Sequence, residues 1–353
     1  MLDVLPEPQL AALFGAIGGL FLGLAARLGR FCTMGAIEDA LYGGSLVRLR
    51  MWGIAIGTAV IGSFILVGMD LLEPARTIYH SEPWNPLASI FGGLLFGYGM
   101  AMAGNCGFGA LARLGGGDLR SFVIVLVMGI AAFATLSGPL ARARVALTDS
   151  YALNMDPNGF AGWLAQGLNS PVWLCGLVLG ALILVASAAS GELRKAPRAI
   201  GWGVVVGLAV TSGWIGTYWL ATHGFDAMPV VSHTFSSPLG NSILYVMTSS
   251  GGGLNFGVGS VAGVIAGSFL GSLIKGHFRW EACEDPRELR RQILGAAAMG
   301  IGAVTAFGCT IGQGISAFSV LAVSAPVTLG AIFLGASIGL RQLITGFGLN
   351  RIS

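Results

Sequence analysis

The chain has 353 residues, of which 54% are hydrophobic and 10% are charged, and its mean hydropathy is +0.79. Soluble domains carry about 25% charged residues, so this composition excludes a water-soluble globular protein of this size. The formal net charge of +3 is too small for a nucleic-acid-binding surface, which leaves an integral membrane protein in contact with membrane lipid.

Apolar windows as long as the roughly 20 residues of helix that cross a bilayer core recur nine times along the chain. The predicted spans are residues 10–28, 51–69, 87–105, 121–140, 172–190, 201–220, 256–275, 292–309 and 324–345. Glycines interrupt several of these windows, and residues 241–249 are predicted to form a short re-entrant helix. The sequence therefore predicts an all-α integral membrane protein with about nine transmembrane helices plus short broken or re-entrant helices.

Lysine and arginine are distributed unevenly between the two sets of alternating loops. One side collects 16 of the 19 basic residues and the other side has only Arg76, Arg142 and Arg144. Basic loops remain in the cytoplasm, so we expect a multi-pass inner-membrane protein with its N-terminus outside and its C-terminus in the cytoplasm. The first residues include Asp3 and Glu7 but no basic leader, and no cleavable signal peptide is expected.

Two segments about 200 residues apart resemble each other. Residues 92–117 and 295–320 both contain a small-residue helix, a Gly-Cys turn and a second short helix, so that Cys106 corresponds to Cys309. At nearly the same offset, residues 30–33 correspond to residues 234–237. The chain is thus predicted to be a single transmembrane domain, residues 1–353. It consists of a first repeat (1–140), a connecting segment with the fifth span (141–200) and a second, inverted repeat (201–353).

Inverted-repeat transporters bind their substrates where broken helices of the two copies meet, because the free backbone N–H groups there attract anions. Glycines at such breaks let the backbone approach a ligand, amides and hydroxyls can bind oxygens, and neutral thiols are soft, weak donors. The candidate path residues are Cys32, Cys106, Cys309, Asn105, Gly107, Gly308, Thr310 and Gln313. Predicted topology orders the cysteines as a relay from Cys309 through Cys106 to Cys32.

Three cysteine motifs carry a resemblance to a known family. They are GRFCTMG at residues 29–35, GNCGFG at residues 104–109 and FGCTIGQG at residues 307–314. Together they resemble the YeeE/YedE family of bacterial inner-membrane sulfur-compound transporters. The resemblance implies thiosulfate uptake, three pathway cysteines (Cys32, Cys106 and Cys309) and a partner resembling the small TusA-like cytoplasmic sulfur carriers.

The sequence departs from this family at residues 37–39, which read Ile-Glu-Asp where relatives often have an Arg-Asp pair. Because of this difference, another sulfur oxyanion or a selenium compound stays an alternative to thiosulfate as the solute. Two other functions also stay open: a membrane thiol enzyme that relays sulfane sulfur through persulfides, and a structural partner of another membrane complex.

The remaining chemistry-bearing residues predict no further site. Cys175 is expected to pack within the fifth span, and Cys283 to lie in a charged cytoplasmic loop, so both should tolerate Ser or Ala. The four histidines lack metal-ligand spacing, and the glycine runs lack the Gly-Lys-Ser/Thr of a phosphate-binding loop. No metal, cofactor or ATP-hydrolysing unit is therefore expected.

Overall fold

The computed structural model describes residues 5–149, 151–155, 158–249, 253–282 and 285–346. Within these ranges the backbone is almost entirely helical, and the extended pairing is limited to three isolated bridges. The all-α prediction is confirmed for the described part of the chain. Cys283 lies outside the described residues.

Sixteen α-helices follow one another in the described ranges. They are α1 (Glu7–Leu28), α2 (Thr33–Glu38), α3 (Val47–Gly68), α4 (Ile78–Ser81), α5 (Pro86–Ala103), α6 (Gly107–Leu114), α7 (Leu119–Leu136), α8 (Ala141–Asp149), α9 (Gly159–Leu168), α10 (Val172–Ala188), α11 (Gly191–Arg194), α12 (Pro197–His223), α13 (Ser237–Thr248), α14 (Phe256–Ile274), α15 (Pro286–Thr305) and α16 (Ser324–Thr345). Wider π-helical turns occupy Asp39–Gly43 and Gly312–Ala317.

Each of the nine predicted spans coincides with one of these helices: α1, α3, α5, α7, α10, α12, α14, α15 and α16. Among the described residues, seven helical segments are long and apolar enough to cross a bilayer, or eight if α9 and α10, bent by 112°, form one span. The predicted eighth span, α15, has 20 residues, but four of its first six residues are charged. A multi-pass membrane protein is established, and the number nine stays a prediction.

Glycines allow the long helices to pack backbone to backbone. A Cβ added at Gly259, Gly263 or Gly267 of α14 would overlap carbonyl oxygens of α1. Such close approach through small residues is typical of helix association in lipid, where burial of apolar surface gives little driving force. In the same way α3 packs on α10 and α12, and α5 packs on α15 and α16. These contacts fix the ends of the broken helices that carry the cysteines.

Candidate functional site

Each of the three predicted path cysteines stands at the start of a short helix, directly after a break in the chain. Cys32 precedes α2, Cys106 precedes α6, and Cys309 precedes the helical run 310–319. Two residues before each cysteine the backbone has a positive φ: 56° at Arg30, 78° at Gly104 and 58° at Phe307. Because these breaks end one helix and begin another, the first N–H groups of each new helix have no partner in the preceding turn.

The left-handed conformation has a different origin at the three breaks. Gly104 adopts it readily, since it lacks a Cβ. Arg30 and Phe307 adopt it at a cost that surrounding structure must offset, and such residues cluster at functional sites. Gln313 stabilises the third break, because its amide N–H groups donate to the carbonyls of Ala306 and Phe307 at 3.2 and 3.1 Å.

Cys106 lies at the centre of the bundle and has no exposed surface. Its thiol lies 3.9 Å from the Thr33 hydroxyl and accepts a hydrogen bond from the Gly109 N–H at 3.4 Å. A Cβ added at Gly109 would lie 3.7 Å from Cys106 Sγ and 4.0 Å from Cys32 Sγ, so the two sulfurs are no more than about 8 Å apart. The structure therefore brings the first two predicted cysteines together across Gly109.

Cys309 is also buried, with 1% of its surface exposed. Its thiol accepts a hydrogen bond from the Phe235 N–H at 3.2 Å and lies 3.7 Å from the Thr234 hydroxyl. The Thr234 hydroxyl is in turn 3.4 Å from that of Ser236. The Tyr79 hydroxyl lies on the same side, because a Cβ added at Gly312 would meet both it and Thr234. Cys309 thus belongs to a cluster of neutral donors.

The segment that carries these donors is fixed within the bundle by polar contacts. The Ser232 hydroxyl donates to the Val210 carbonyl at 2.7 Å, and His233 Nδ1 lies 2.7 Å from the Ser260 hydroxyl. The His233 carbonyl accepts from the Ser316 hydroxyl at 2.6 Å. Because the contacts come from three different helical segments, the next residues along the chain are held against Cys309.

Two cavities approach the cysteines from opposite ends of α1 and α14. The first, which we call the basic vestibule, has a volume of about 460 Å³ and is lined by Arg27, Arg30, Cys32, Arg48, Arg113 and Lys275. The second, which we call the Tyr79 cavity, has a volume of about 410 Å³ and is lined by Pro8, Tyr79, Thr234, Ser236, Phe307 and Gly308. Cys106 and Cys309 lie buried between the two cavities.

The remaining predicted residues take different places around this centre. Thr310 and Asn105 are buried beside Cys106; the Thr310 hydroxyl lies within hydrogen-bonding reach of the Cys106 thiol, and the Asn105 side-chain oxygen has no hydrogen-bond partner among the described residues. A buried polar atom without a partner costs about 1–3 kcal/mol. The Thr310 hydroxyl supplies a donor for an anionic solute at this position, whereas the Asn105 oxygen only accepts hydrogen bonds and does not bind an anion.

Two of the predicted residues have a structural task that the sequence did not show. The space next to Gly107 is filled, because an added Cβ would lie 2.7 Å from Met128 Sδ and 3.1 Å from the Phe235 carbonyl oxygen. The Gln313 amide N–H groups are already bonded to the carbonyls of Ala306 and Phe307, and its side-chain oxygen accepts a hydrogen bond from the Ser324 hydroxyl at 3.2 Å. Gly308, by contrast, lines the Tyr79 cavity.

Tyr79, Thr234 and Ser236 were not among the predicted path residues. A signal was present for two of them, since residues 234–237 correspond to residues 30–33 in the proposed repeat and Ser236 falls on Cys32. Ser236 also stands directly before α13, as Cys32 stands directly before α2. No comparable signal exists for Tyr79, which lies on the four-residue helix α4.

The Thr234 hydroxyl gives a testable prediction. The family resemblance implies thiosulfate uptake, and for that activity we expect Thr234→Val to raise the KM about tenfold, because a hydrogen bond to an anion contributes about 1.5–3 kcal/mol. The maximal rate should change less. The matched control is Thr222→Val, whose exposed hydroxyl bonds to the Tyr218 carbonyl within α12. An unchanged KM in Thr234→Val would show that this hydroxyl does not bind the transported solute.

Comparison with known proteins decides the family. A family model described as sulphur transport matches residues 28–338. The chain belongs to the sulphur transport family. Membership in the YeeE/YedE family, predicted from the three cysteine motifs, is thereby confirmed, and it supports a transporter rather than an enzyme.

Two curated relatives extend this similarity along nearly the whole chain. The thiosulfate transporter TsuA of Escherichia coli (strain K12) is 26% identical over 318 residues, which cover 86% of this chain and 86% of the relative. The thiosulfate transporter TsuA of Spirochaeta thermophila (strain ATCC 700085 / DSM 6578 / Z-1203) is 24% identical over 343 residues, covering 88% and 92%. The chain is therefore a sulfur-compound transporter of the multi-pass membrane type.

Proposed function

We propose that this protein imports thiosulfate, or a closely related sulfur oxyanion, across the bacterial inner membrane along a path lined by Cys309, Cys106 and Cys32. One observation carries the proposal. The three thiols follow one another between two cavities that open at opposite ends of the same helices. The names of the two relatives support thiosulfate as the solute.

The distribution of charge supports an orientation of the two cavities that suits import. The basic vestibule lies on the side of the basic loops, which the positive-inside rule assigns to the cytoplasm. The Tyr79 cavity lies at the start of α1 and would then face outwards. An anion that enters through the Tyr79 cavity meets neutral hydroxyl and thiol groups first, and it meets cations only after Cys32.

Neutral thiols suit the terminal sulfur of thiosulfate. A buried thiol holds its proton, so that it does not repel a dianion, and it is a polarizable, weak donor. The helix N-termini at the three breaks add backbone N–H groups and a positive dipole end for the oxygens. Sulfate offers only oxygens to the thiols and should be held less well.

The helix contacts support an inverted repeat, residues 1–140 and 201–353, as the plan of the site. In that plan α1 matches α12, α3 matches α14, α5 matches α15 and α7 matches α16. Replacing each helix by its match converts the contacting pair α1/α14 into the pair α12/α3, which is also in contact. It likewise converts the contacting pair α5/α16 into the pair α15/α7, which is in contact as well. The cysteines then lie at the interface between the copies, where such transporters bind substrate.

A cytoplasmic sulfur carrier of the TusA-like kind is the partner that this geometry suits. Cys32 is partly exposed and lines the basic vestibule, so that a solute released there can be taken up by a protein docked over the opening. The second candidate function is sulfur transfer, in which a path cysteine thiolate attacks the terminal sulfur of thiosulfate, a persulfide forms and sulfite leaves. The outer sulfur of the persulfide then passes to the next path thiolate, and the first thiolate is regenerated. The position of Cys32 and Cys106 on either side of Gly109 favours such a relay. Intact-mass analysis after exposure to thiosulfate detects such a persulfide.

The test of the proposal is uptake of radiolabelled thiosulfate into proteoliposomes, with a large excess of unlabelled sulfate, thiosulfate or selenosulfate outside. We expect uptake that thiosulfate and selenosulfate suppress and that sulfate does not. Equal suppression by sulfate would contradict recognition through the terminal sulfur. Absence of uptake by folded protein would contradict transport itself.

A further inference from the structure

Five cationic side chains from separate elements surround the opening at Cys32. They are Arg27 on α1, Arg30 at the break after it, Arg48 on α3, Arg113 on α6 and Lys275 directly after α14. A carboxylate, Glu38, also lines the cavity. Positive groups that converge on one cavity from several directions produce a strong local potential and concentrate anions there.

Part of this charge is neutralised within the protein. Arg48 forms an ion pair with Asp39 at 3.2 Å. Within the described ranges, neither Arg30 nor Arg113 has a carboxylate oxygen within 4.0 Å. Both side chains are exposed to the cavity and stay available to a ligand.

The other two cations bind neutral groups and, among the described residues, have no carboxylate oxygen within 4.0 Å. Arg27 Nε donates to the Ser272 hydroxyl at 2.7 Å, and Lys275 Nζ donates to the Arg27 carbonyl at 2.6 Å. Burial, together with the charges of Arg30 and Arg27, lowers the pKa of Lys275. The cations therefore repel one another, and an anion between them relieves that repulsion.

Two glycines make room for the cations in the walls of the basic vestibule. A Cβ added at Gly116 would overlap the Arg27 guanidinium, and one added at Gly35 would overlap that of Arg48. The guanidinium groups of Arg27 and Arg48 therefore lie close against the backbone at these two glycines. A volume of about 460 Å³ holds a tetrahedral oxyanion together with several water molecules.

We propose that the basic vestibule is a second anion site, which binds a cytoplasmic sulfate-like dianion and, when occupied, blocks release of the transported solute past Cys32. The inference rests on the proposed transport function and orientation. Guanidinium and ammonium groups recognise oxyanions through oxygen. The vestibule therefore does not distinguish sulfate from thiosulfate, whereas the thiol path does. Cytoplasmic sulfate inhibits import, and sulfate outside does not.

The first test measures equilibrium binding of radiolabelled sulfate to the purified full-length protein in a neutral detergent. We expect the double variant Arg30→Gln/Arg113→Gln to bind sulfate at least about tenfold more weakly, since two charged donors to the anion are lost. Arg198→Gln, an exposed residue of the same side on α12, is the matched control and should bind as the wild type does. Equal binding by all three proteins, or no binding, would overturn the proposal.

The second test measures thiosulfate uptake into phosphatidylcholine proteoliposomes that contain sulfate inside, outside or not at all, with chloride balancing ionic strength. These lipids carry no net charge, so anionic headgroups do not compete for the cations. A membrane-impermeant thiosulfonate reagent, added outside, modifies Cys32 in the molecules that are inserted with Cys32 facing outwards. Transport by these molecules is thereby blocked. We expect inhibition by inner sulfate alone, and loss of this inhibition in Arg30→Gln/Arg113→Gln.

Undiminished uptake by the wild type with inner sulfate would overturn the regulatory site, although the transport function would stand. Sulfate binding without any uptake would contradict transport and retain the anion site.

Discussion

Cys106→Ala is expected to reduce thiosulfate uptake to background while the protein stays folded. Cys106 is fully buried between the two cavities, and its thiol lies next to Thr33 and Gly109. Loss of one buried sulfur destabilises the fold by about 1 kcal/mol, similar to the loss of one methylene group. The effect on transport is larger because a methyl group at this position cannot donate a hydrogen bond. Uptake into proteoliposomes and thermal unfolding in detergent separate the two effects.

Cys175→Ala is the matched control for this variant. Cys175 is also a buried free cysteine, with 4% of its surface exposed, but it lies in α10 and outside both cavities. The same atom is deleted at a similar cost in stability, and uptake should equal that of the wild type. Uptake retained in Cys106→Ala, or lost in Cys175→Ala, would show that the thiols have been assigned incorrectly.

The second large effect concerns folding and is expected for Gly263→Ala. A Cβ at this position would overlap the Ala16 carbonyl oxygen, which belongs to the backbone of α1 and cannot move alone. Overpacking of this kind costs about 1–3 kcal/mol or more. This cost exceeds the stabilisation of up to about 1 kcal/mol that alanine gives a helix interior relative to glycine. We expect a clearly lower midpoint of thermal unfolding.

Gly330→Ala separates this packing effect from helix propensity. Gly330 lies in α16, and no atom beyond its own helix backbone and chain neighbours lies within 4 Å of an added Cβ. The same substitution there should leave the midpoint unchanged or raise it. If both variants unfold at the wild-type temperature, the close approach of α1 and α14 is not required for stability.

The helices and the cysteine turns could be predicted from the sequence because both depend on local patterns. A membrane-spanning helix needs a continuous apolar stretch, and all nine predicted stretches are helical. The breaks at Cys106 and Cys309 follow from glycines in otherwise apolar helices. The left-handed Arg30 and Phe307 could not be predicted, because residues with a Cβ adopt this conformation only under the constraint of tertiary contacts.

The rest of the site depends on contacts between residues that are distant in the chain. Thr234 reaches Cys309 because the segment after α12 runs back into the bundle, where Ser232 and His233 are held by other helices. Tyr79 belongs to a short helix that hydropathy cannot distinguish from a loop. Asp39 forms an ion pair with Arg48 on α3, a pairing that the sequence alone does not reveal.

The central claim is that a small sulfur anion passes the three thiols between the two cavities. A structure of the protein soaked with selenosulfate, in which selenium replaces the terminal sulfur of thiosulfate, tests this most directly. Anomalous scattering then locates the selenium atom. We predict peaks beside Cys309 and Cys106 that disappear in the presence of excess thiosulfate and persist with excess sulfate. Selenium found only outside the space between the Tyr79 cavity and Cys32 would contradict the account.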